Sequence, residues 1–151
     1  MAEPFRTTRR VEFRDTDAAG IMHFSTFFLR MEEVEHEMLR SLGLSVIVED
    51  AEGLISWPRV SATCDYRSAV RFEDVLEITA GVVQLGDRSV TYSYQFEHAG
   101  RAVAQGRMVA VCCRMIPAYG LKSMPIPAWI SEKLAAVQTD DPGPPRQRKP
   151  I

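Results

Sequence analysis

Apolar residues recur along this chain with two different periods. Between residues 23 and 42 they fall at Phe24, Phe27, Phe28, Met31, Val34, Met38 and Leu42, the spacing of one helix face. Arg30, Glu33, Glu37 and Arg40 fall mostly on other faces. Ser25 or Thr26 can cap the start, and Gly43 is a natural stop. One long, half-buried helix is expected. On either side the period drops to two. Residues 7–14 predict a strand with Val11 and Phe13 on one face, followed by a turn-rich loop at 15–20. Beyond the helix come four strand runs at 54–68, 75–85, 89–96 and 102–116, the third placing Val90, Tyr92, Tyr94 and Phe96 on one face. Gly86-Asp87-Arg88 and Ala99-Gly100-Arg101 are tight hairpin signals between them. Residues 125–137 suggest a short C-terminal helix. A strand, a long helix and a four-strand meander make an α+β layout, one antiparallel sheet with one dominant helix. Residues 138–151, rich in Pro, Asp and Arg, are expected to form a flexible tail.

Composition narrows the function classes. The 151 residues carry 18 Lys plus Arg against 20 Asp plus Glu, a net charge of −2. That balance leaves no electrostatic footprint for nucleic acid or an anionic membrane. No apolar run is long enough to span a bilayer. The opening Met1-Ala2-Glu3-Pro4 lacks the charged and apolar regions of a signal peptide, so a cytoplasmic protein is expected. Cys64, Cys112 and Cys113 show no Cys-x-x-Cys spacing and sit among apolar residues, which suits small buried hydrophobes. No Gly-x-Ser-x-Gly elbow, phosphate loop or dinucleotide fingerprint is present. Glu33-x-x-His36 has the spacing of half a carboxylate-bridged metal site, but no second copy exists, and no metal is expected.

The densest chemistry lies where the first strand runs into the helix, at Asp15-Thr16-Asp17-Ala18-Ala19-Gly20-Ile21-Met22-His23-Phe24. Two carboxylates, a Gly turn and a His gather at the N-terminus of one helix. That end presents unpaired N–H donors and the positive pole of the helix dipole, so it can polarise a carbonyl beside a carboxylate. On residue types alone, Asp15 and Asp17 can equally stabilise a turn and cap the helix.

The segment Val11-Glu12-Phe13-Arg14-Asp15-Thr16-Asp17-Ala18-Ala19-Gly20-Ile21 resembles the hotdog-fold acyl-CoA thioesterases, in the group typified by 4-hydroxybenzoyl-CoA thioesterase and the YbgC-like proteins. Trp57-Pro58-Arg59-Val60, Tyr66-Arg67-Ser68-Ala69, Phe72-Glu73-Asp74-Val75-Leu76 and the strand around Arg88-Ser89-Val90 extend the match over about residues 5–135. The resemblance implies a hotdog domain at 1–137, with an antiparallel sheet wrapped around a long central helix. It implies hydrolysis of an acyl- or aroyl-CoA thioester to acid and coenzyme A, with no cofactor beyond the coenzyme A of the substrate. Asp17 then holds the family's catalytic carboxylate position, as nucleophile or general base. Asp15 is expected to hold the loop in shape. Backbone N–H groups near His23, Phe24 and Ser25 are the expected oxyanion donors. Arg88, Ser89 and Arg67, with Arg71, are candidates for coenzyme A contacts.

His23 departs from relatives that place an aromatic there, and from YbgC-like members with a His one residue later. It can orient substrate or assist proton transfer to the leaving thiol, or simply close the helix end. Some hotdog thioesterases use a helix Glu as base, which draws attention to Glu32 and Glu33; a solvated helix face is the simpler account. His36 and His98 are expected to be structural or exposed. The family builds its sites at subunit interfaces, so a homodimer or homotetramer is implied. Two alternatives stay open: a hotdog dehydratase or hydratase, with His23 and Asp17 facing each other across the site, and a non-catalytic acyl-CoA or acyl-carrier binding module.

Overall fold

The computed structural model describes residues 2–143. Nine strands and two α-helices follow in the order β1 (Phe5–Arg10), α1 (Thr26–Ser41), β2 (Val48–Asp50), β3 (Gly53–Ser56), β4 (Arg59–Tyr66), β5 (Val75–Leu85), β6 (Ser89–His98), β7 (Arg101–Val111), β8 (Cys113–Ile116), β9 (Gly120–Ser123) and α2 (Ala128–Leu134). Five strands form an antiparallel sheet in the order β1-β5-β6-β7-β4. The other four form a second antiparallel ladder, β2-β3-β8-β9.

The single sheet expected from the sequence therefore becomes two ladders, because two long apolar runs each divide. The 54–68 run breaks at Trp57-Pro58, where Pro58 has no N–H to give a ladder. The 102–116 run breaks at Cys112, whose N–H turns to Arg88 O (2.7 Å) while its carbonyl accepts from Met124 N–H (2.9 Å). β1 also ends earlier than expected. Val11 N–H goes to Asp74 O at 2.7 Å, Phe13–Asp15 winds into a 3₁₀ turn, and Phe13 is exposed.

α1 packs on the face of the five-stranded sheet with Phe27, Met31, Val34 and Met38 fully buried, each contributing roughly 1.5–3 kcal/mol. The approach is close enough that a Cβ on Gly106 in β7 would collide with the Met31 side chain. The helix ends as expected at Gly43. Gly43 N–H bonds Arg40 O (3.0 Å) and Leu44 N–H bonds Leu39 O (2.8 Å), a Schellman closure with Leu39 and Leu44 both buried. Its start is later than expected, at Thr26, and neither Ser25 nor Thr26 caps it through a side chain. Arg30 and Glu35, which composition would send to solvent, are buried on the same stripe.

The C-terminal segment from Gln138 is bound at its start rather than free. Thr139 N–H reaches Val82 O at 2.8 Å, and Arg107 in β7 holds Asp141 through two bonds of 2.8 and 2.9 Å. The rest of the expected tail, 144–151, lies outside the described residues. Among the described residues no helix is long and apolar enough to cross a membrane.

Candidate active site

β1 and α1 are joined by a loop that folds back on itself twice. Asp17 N–H bonds Ile21 O and Gly20 N–H bonds Asp17 O, both at 2.9 Å. Gly20 closes this turn at φ +77°, a left-handed conformation that costs other residues strain. Met22 N–H then anchors the loop to Val70 O (2.8 Å), on the segment following β4.

Asp15 ties this loop to the helix. Its carboxylate is buried and takes both contacts of Arg30 Nη2, at 2.8 and 2.7 Å, while Oδ2 also accepts Glu12 N–H at 2.8 Å. The Asp15 carbonyl accepts His23 N–H at 2.7 Å and the Thr26 hydroxyl at 3.3 Å. Burial works against the Arg30 charge, but hydrogen bonds to Asp15 and Glu33 outweigh it and raise its pKa. Sequence reasoning assigned Asp15 a holding role and missed the arginine that completes it. The available signal was Arg30's position, three residues after Phe27 and four before Val34 on the buried stripe.

Asp17 is left with unspent capacity. Its Oδ1 accepts Ala19 N–H at 2.8 Å, and Oδ2 has no partner among the described residues. The side chain lies in an open cleft whose walls include Phe24, Phe27, Tyr66, Arg67 and Val70. The expected contact residue Arg67 is thus brought to Asp17. Arg88 and Ser89 are not. They sit past the far end of β5, whose eleven residues span roughly 35 Å, and Arg88 Nη1 bonds Ser123 O at 2.9 Å. Arg71 touches the loop only through a long 3.5 Å contact to Gly20 O.

Among the three expected oxyanion donors, His23 N–H is already spent on Asp15 O, and Ser25 N–H leans on His23 Nδ1 at 3.2 Å. Phe24 N–H alone has no acceptor among the described residues. Of the three expected donors, one N–H is thus left unspent among the described residues. The His23 ring also bonds the Ser25 hydroxyl at 2.7 Å and stacks on Phe24 at 4.5 Å. It is not among the residues lining the cleft, so within one chain the facing His–carboxylate pair of a hydratase is not formed there.

The remaining candidates have other employment. Glu33 pairs with Arg30 (2.8 Å) and His98 bonds Val75 O (2.8 Å). Burial pushes the Cys64 and Cys112 thiols up to about 11, away from thiolate chemistry. Among the described residues no three His, Cys, Asp or Glu side chains converge as a metal site would require.

Comparison with known proteins finds relatives of the whole domain. The family model described as "Thioesterase-like superfamily" matches residues 11–134. The acyl-CoA thioester hydrolase YbgC of Escherichia coli is 28% identical over 109 residues, 72% of this chain and 81% of its own. The 1,4-dihydroxy-2-naphthoyl-CoA hydrolase of Synechococcus elongatus is 27% identical over 109 residues, 72% of this chain and 80% of its own. The solved structure of a gentisyl-coenzyme A thioesterase superposes with a TM-score of 0.72 at 28% identity, covering 86% of this chain and 99% of that one.

Proposed function

The chain belongs to the thioesterase-like superfamily, and on that premise we propose that it hydrolyses an acyl-CoA thioester to the free acid and coenzyme A. The observation that carries this reading is a carboxylate with one open oxygen, Asp17, sharing a cleft with Phe24 at the start of α1, where one N–H is unspent. The thioester carbonyl oxygen would accept that N–H at the positive pole of the helix, where negative charge developing on it is stabilised. Asp17 then acts in one of two ways. It attacks the carbonyl carbon, breaking the C–S bond and expelling the thiolate of coenzyme A, and water later cleaves the acyl-aspartyl anhydride. Alternatively it takes a proton from a water that attacks the same carbon. Both routes end in acid and thiol. His23 serves either by shaping the turn that presents Phe24.

The proposal extends to a second copy of the chain. β4 is an edge strand of the five-stranded sheet, and Val60, Ser61, Ala62 and Thr63 along it are exposed. An unpaired edge of that kind is a template for strand pairing. A site shared between subunits is the arrangement under which Arg88 and Ser89 would reach the coenzyme A of a substrate lying on another chain's Asp17. The cytoplasmic setting expected from the sequence is part of the same reading.

The test is a free-thiol release assay with aroyl, short-chain and long-chain acyl-CoA thioesters. The aromatic walls at Phe24, Phe27 and Tyr66 make aroyl thioesters the first to try. Release from at least one class is expected. Tight binding of these thioesters with no release from any would replace the enzyme with a binding module.

A further inference from the structure

We propose that Tyr66 is a positioning residue of this site, its hydroxyl holding the Phe24 backbone so that the Phe24 N–H stays aimed as a donor. This role rests on the thioesterase reading above. The need for it comes from how α1 begins. Thr26 N–H bonds His23 O at 3.0 Å and Phe28 N–H bonds Ser25 O at 3.2 Å, so the first turn is wound tightly. In a regular α-helix Phe28 N–H would reach the carbonyl four residues back, that of Phe24. Here that carbonyl drops out of the helical ladder, and the Tyr66 hydroxyl takes it at 2.8 Å.

The geometry of a trans peptide does the rest. The His23 carbonyl and the Phe24 N–H belong to one planar unit and point in opposite directions. Because the His23 carbonyl is drawn toward Thr26, the Phe24 N–H is turned away from the helix. On the upstream side His23 N–H is fixed to Asp15 O. On the downstream side the Phe24 carbonyl is held by the 2.8 Å bond from Tyr66. Beside it are a longer 3.2 Å bond from Ser25 N–H to His23 Nδ1 and the His23 ring stacked on a Phe24 side chain that is 63% exposed. Of these, the Tyr66 bond is the one that reaches outside the turn.

Tyr66 is itself well placed to act as a fixed point. Its ring meets Phe27 edge-on at 5.2 Å, and Phe27 meets the buried Phe96 edge-on at 5.3 Å. The position of the hydroxyl is therefore referred back to the core of the sheet. Desolvation also raises the Tyr66 pKa far above the usual tyrosine value, so the hydroxyl remains a donor throughout the neutral range.

Tyr66→Phe keeps the ring and removes the donor. The expected result is a kcat about tenfold lower with KM within about twofold of wild type, the signature of lost orientation rather than lost binding. Amide hydrogen exchange at Ser25 and Thr26, whose N–H groups are both bonded to His23, should accelerate in the same variant, while exchange in β5 and β6 stays unchanged. Wild-type kcat, or wild-type exchange at Ser25 and Thr26, would overturn the role. So would a raised KM at unchanged kcat, which would make Tyr66 a substrate contact. A wild-type chain that releases no thiol, with exchange still accelerated in Tyr66→Phe, would instead sink the thioesterase reading, and the catalytic role with it.

Discussion

Among the described residues two carboxylates are buried against arginines, and the two pairs are built differently. Asp15 and Arg30 meet through two short bonds, and the second carboxylate oxygen also takes a backbone N–H. Every acceptor is used, and the bonds cross from the loop to the helix. Glu35 and Arg59 meet through a single 2.6 Å bond from Arg59 Nη2 to Glu35 Oε1. Among the described residues, Glu35 Oε2, Arg59 Nη1 and the nearby core hydroxyl of Tyr94 are buried without hydrogen-bond partners. The first pair is closed and fixes the loop that carries Asp17. The second leaves hydrogen-bonding capacity unspent in the core and ties only α1 to the first residue of β4. A buried ion pair stabilises a fold only where its remaining polar atoms are satisfied, and by that measure only the first pair qualifies.

Breaking the closed pair should have the largest effect. Asp15→Ala leaves Arg30 buried without its main partner and is expected to lower stability by about 3–5 kcal/mol in urea unfolding. It should also loosen the loop whose Asp15 carbonyl holds the His23 N–H, and so cut thioester turnover. If turnover is untouched, the loop does not depend on this clamp. A smaller effect of opposite sign is expected from the open pair. Replacing Glu35 and Arg59 together by Met should leave stability unchanged or raise it by about 1–4 kcal/mol. The same double replacement at Asp15 and Arg30 should lower it, because Glu12 N–H then loses its acceptor. Equal outcomes for the two doubles in denaturant unfolding would erase the distinction between the pairs.

The smallest effect is on pH dependence. Burial raises the Glu35 pKa above the ordinary 4.5, and the attraction of Arg59 offsets this only in part. The folded chain then holds the Glu35 proton more tightly than the unfolded chain does. Between 4.5 and the raised value the folded state binds more protons, so Glu35 makes stability fall as pH rises through that window and has no further effect above it. Glu35→Gln should remove that fall. Thermal midpoints of wild type and variant, compared from pH 4.5 upward, should diverge in the variant's favour. A constant difference would mean that Glu35 keeps an ordinary pKa.

What could be read in the sequence, and what could not, follows from the same two pairs. The period-three-and-four stripe located the buried face of α1, and Gly43 marked its end. The limits of β5 and the turn into β6 came directly from alternation and from Gly86-Asp87-Arg88. Arg30 and Glu35 lie on that stripe too, but a charge on an apolar face is explained only by its partner. Those partners, Asp15 and Arg59, are 15 and 24 residues away. The division of the 54–68 run was signalled by Pro58, whereas the break at Cys112 depends on Arg88 and Met124, which the local pattern does not connect to it. In the candidate site, Asp17 and Arg67 came together from motif positions. Which N–H at the helix start is left over depends on where the Asp15 carbonyl points, and only the folded loop reveals that.

The most direct measurement is thiol release by Asp17→Asn beside wild type, on whichever acyl-CoA thioester the wild type hydrolyses best. The substitution keeps the shape of the side chain and its bond from Ala19 N–H, and removes the negative charge. Turnover should fall by roughly a hundredfold or more, with the unfolding midpoint close to wild type. Near-wild-type turnover in Asp17→Asn, with Glu32→Gln or Glu33→Gln inactive, would contradict the assignment and move the base onto α1.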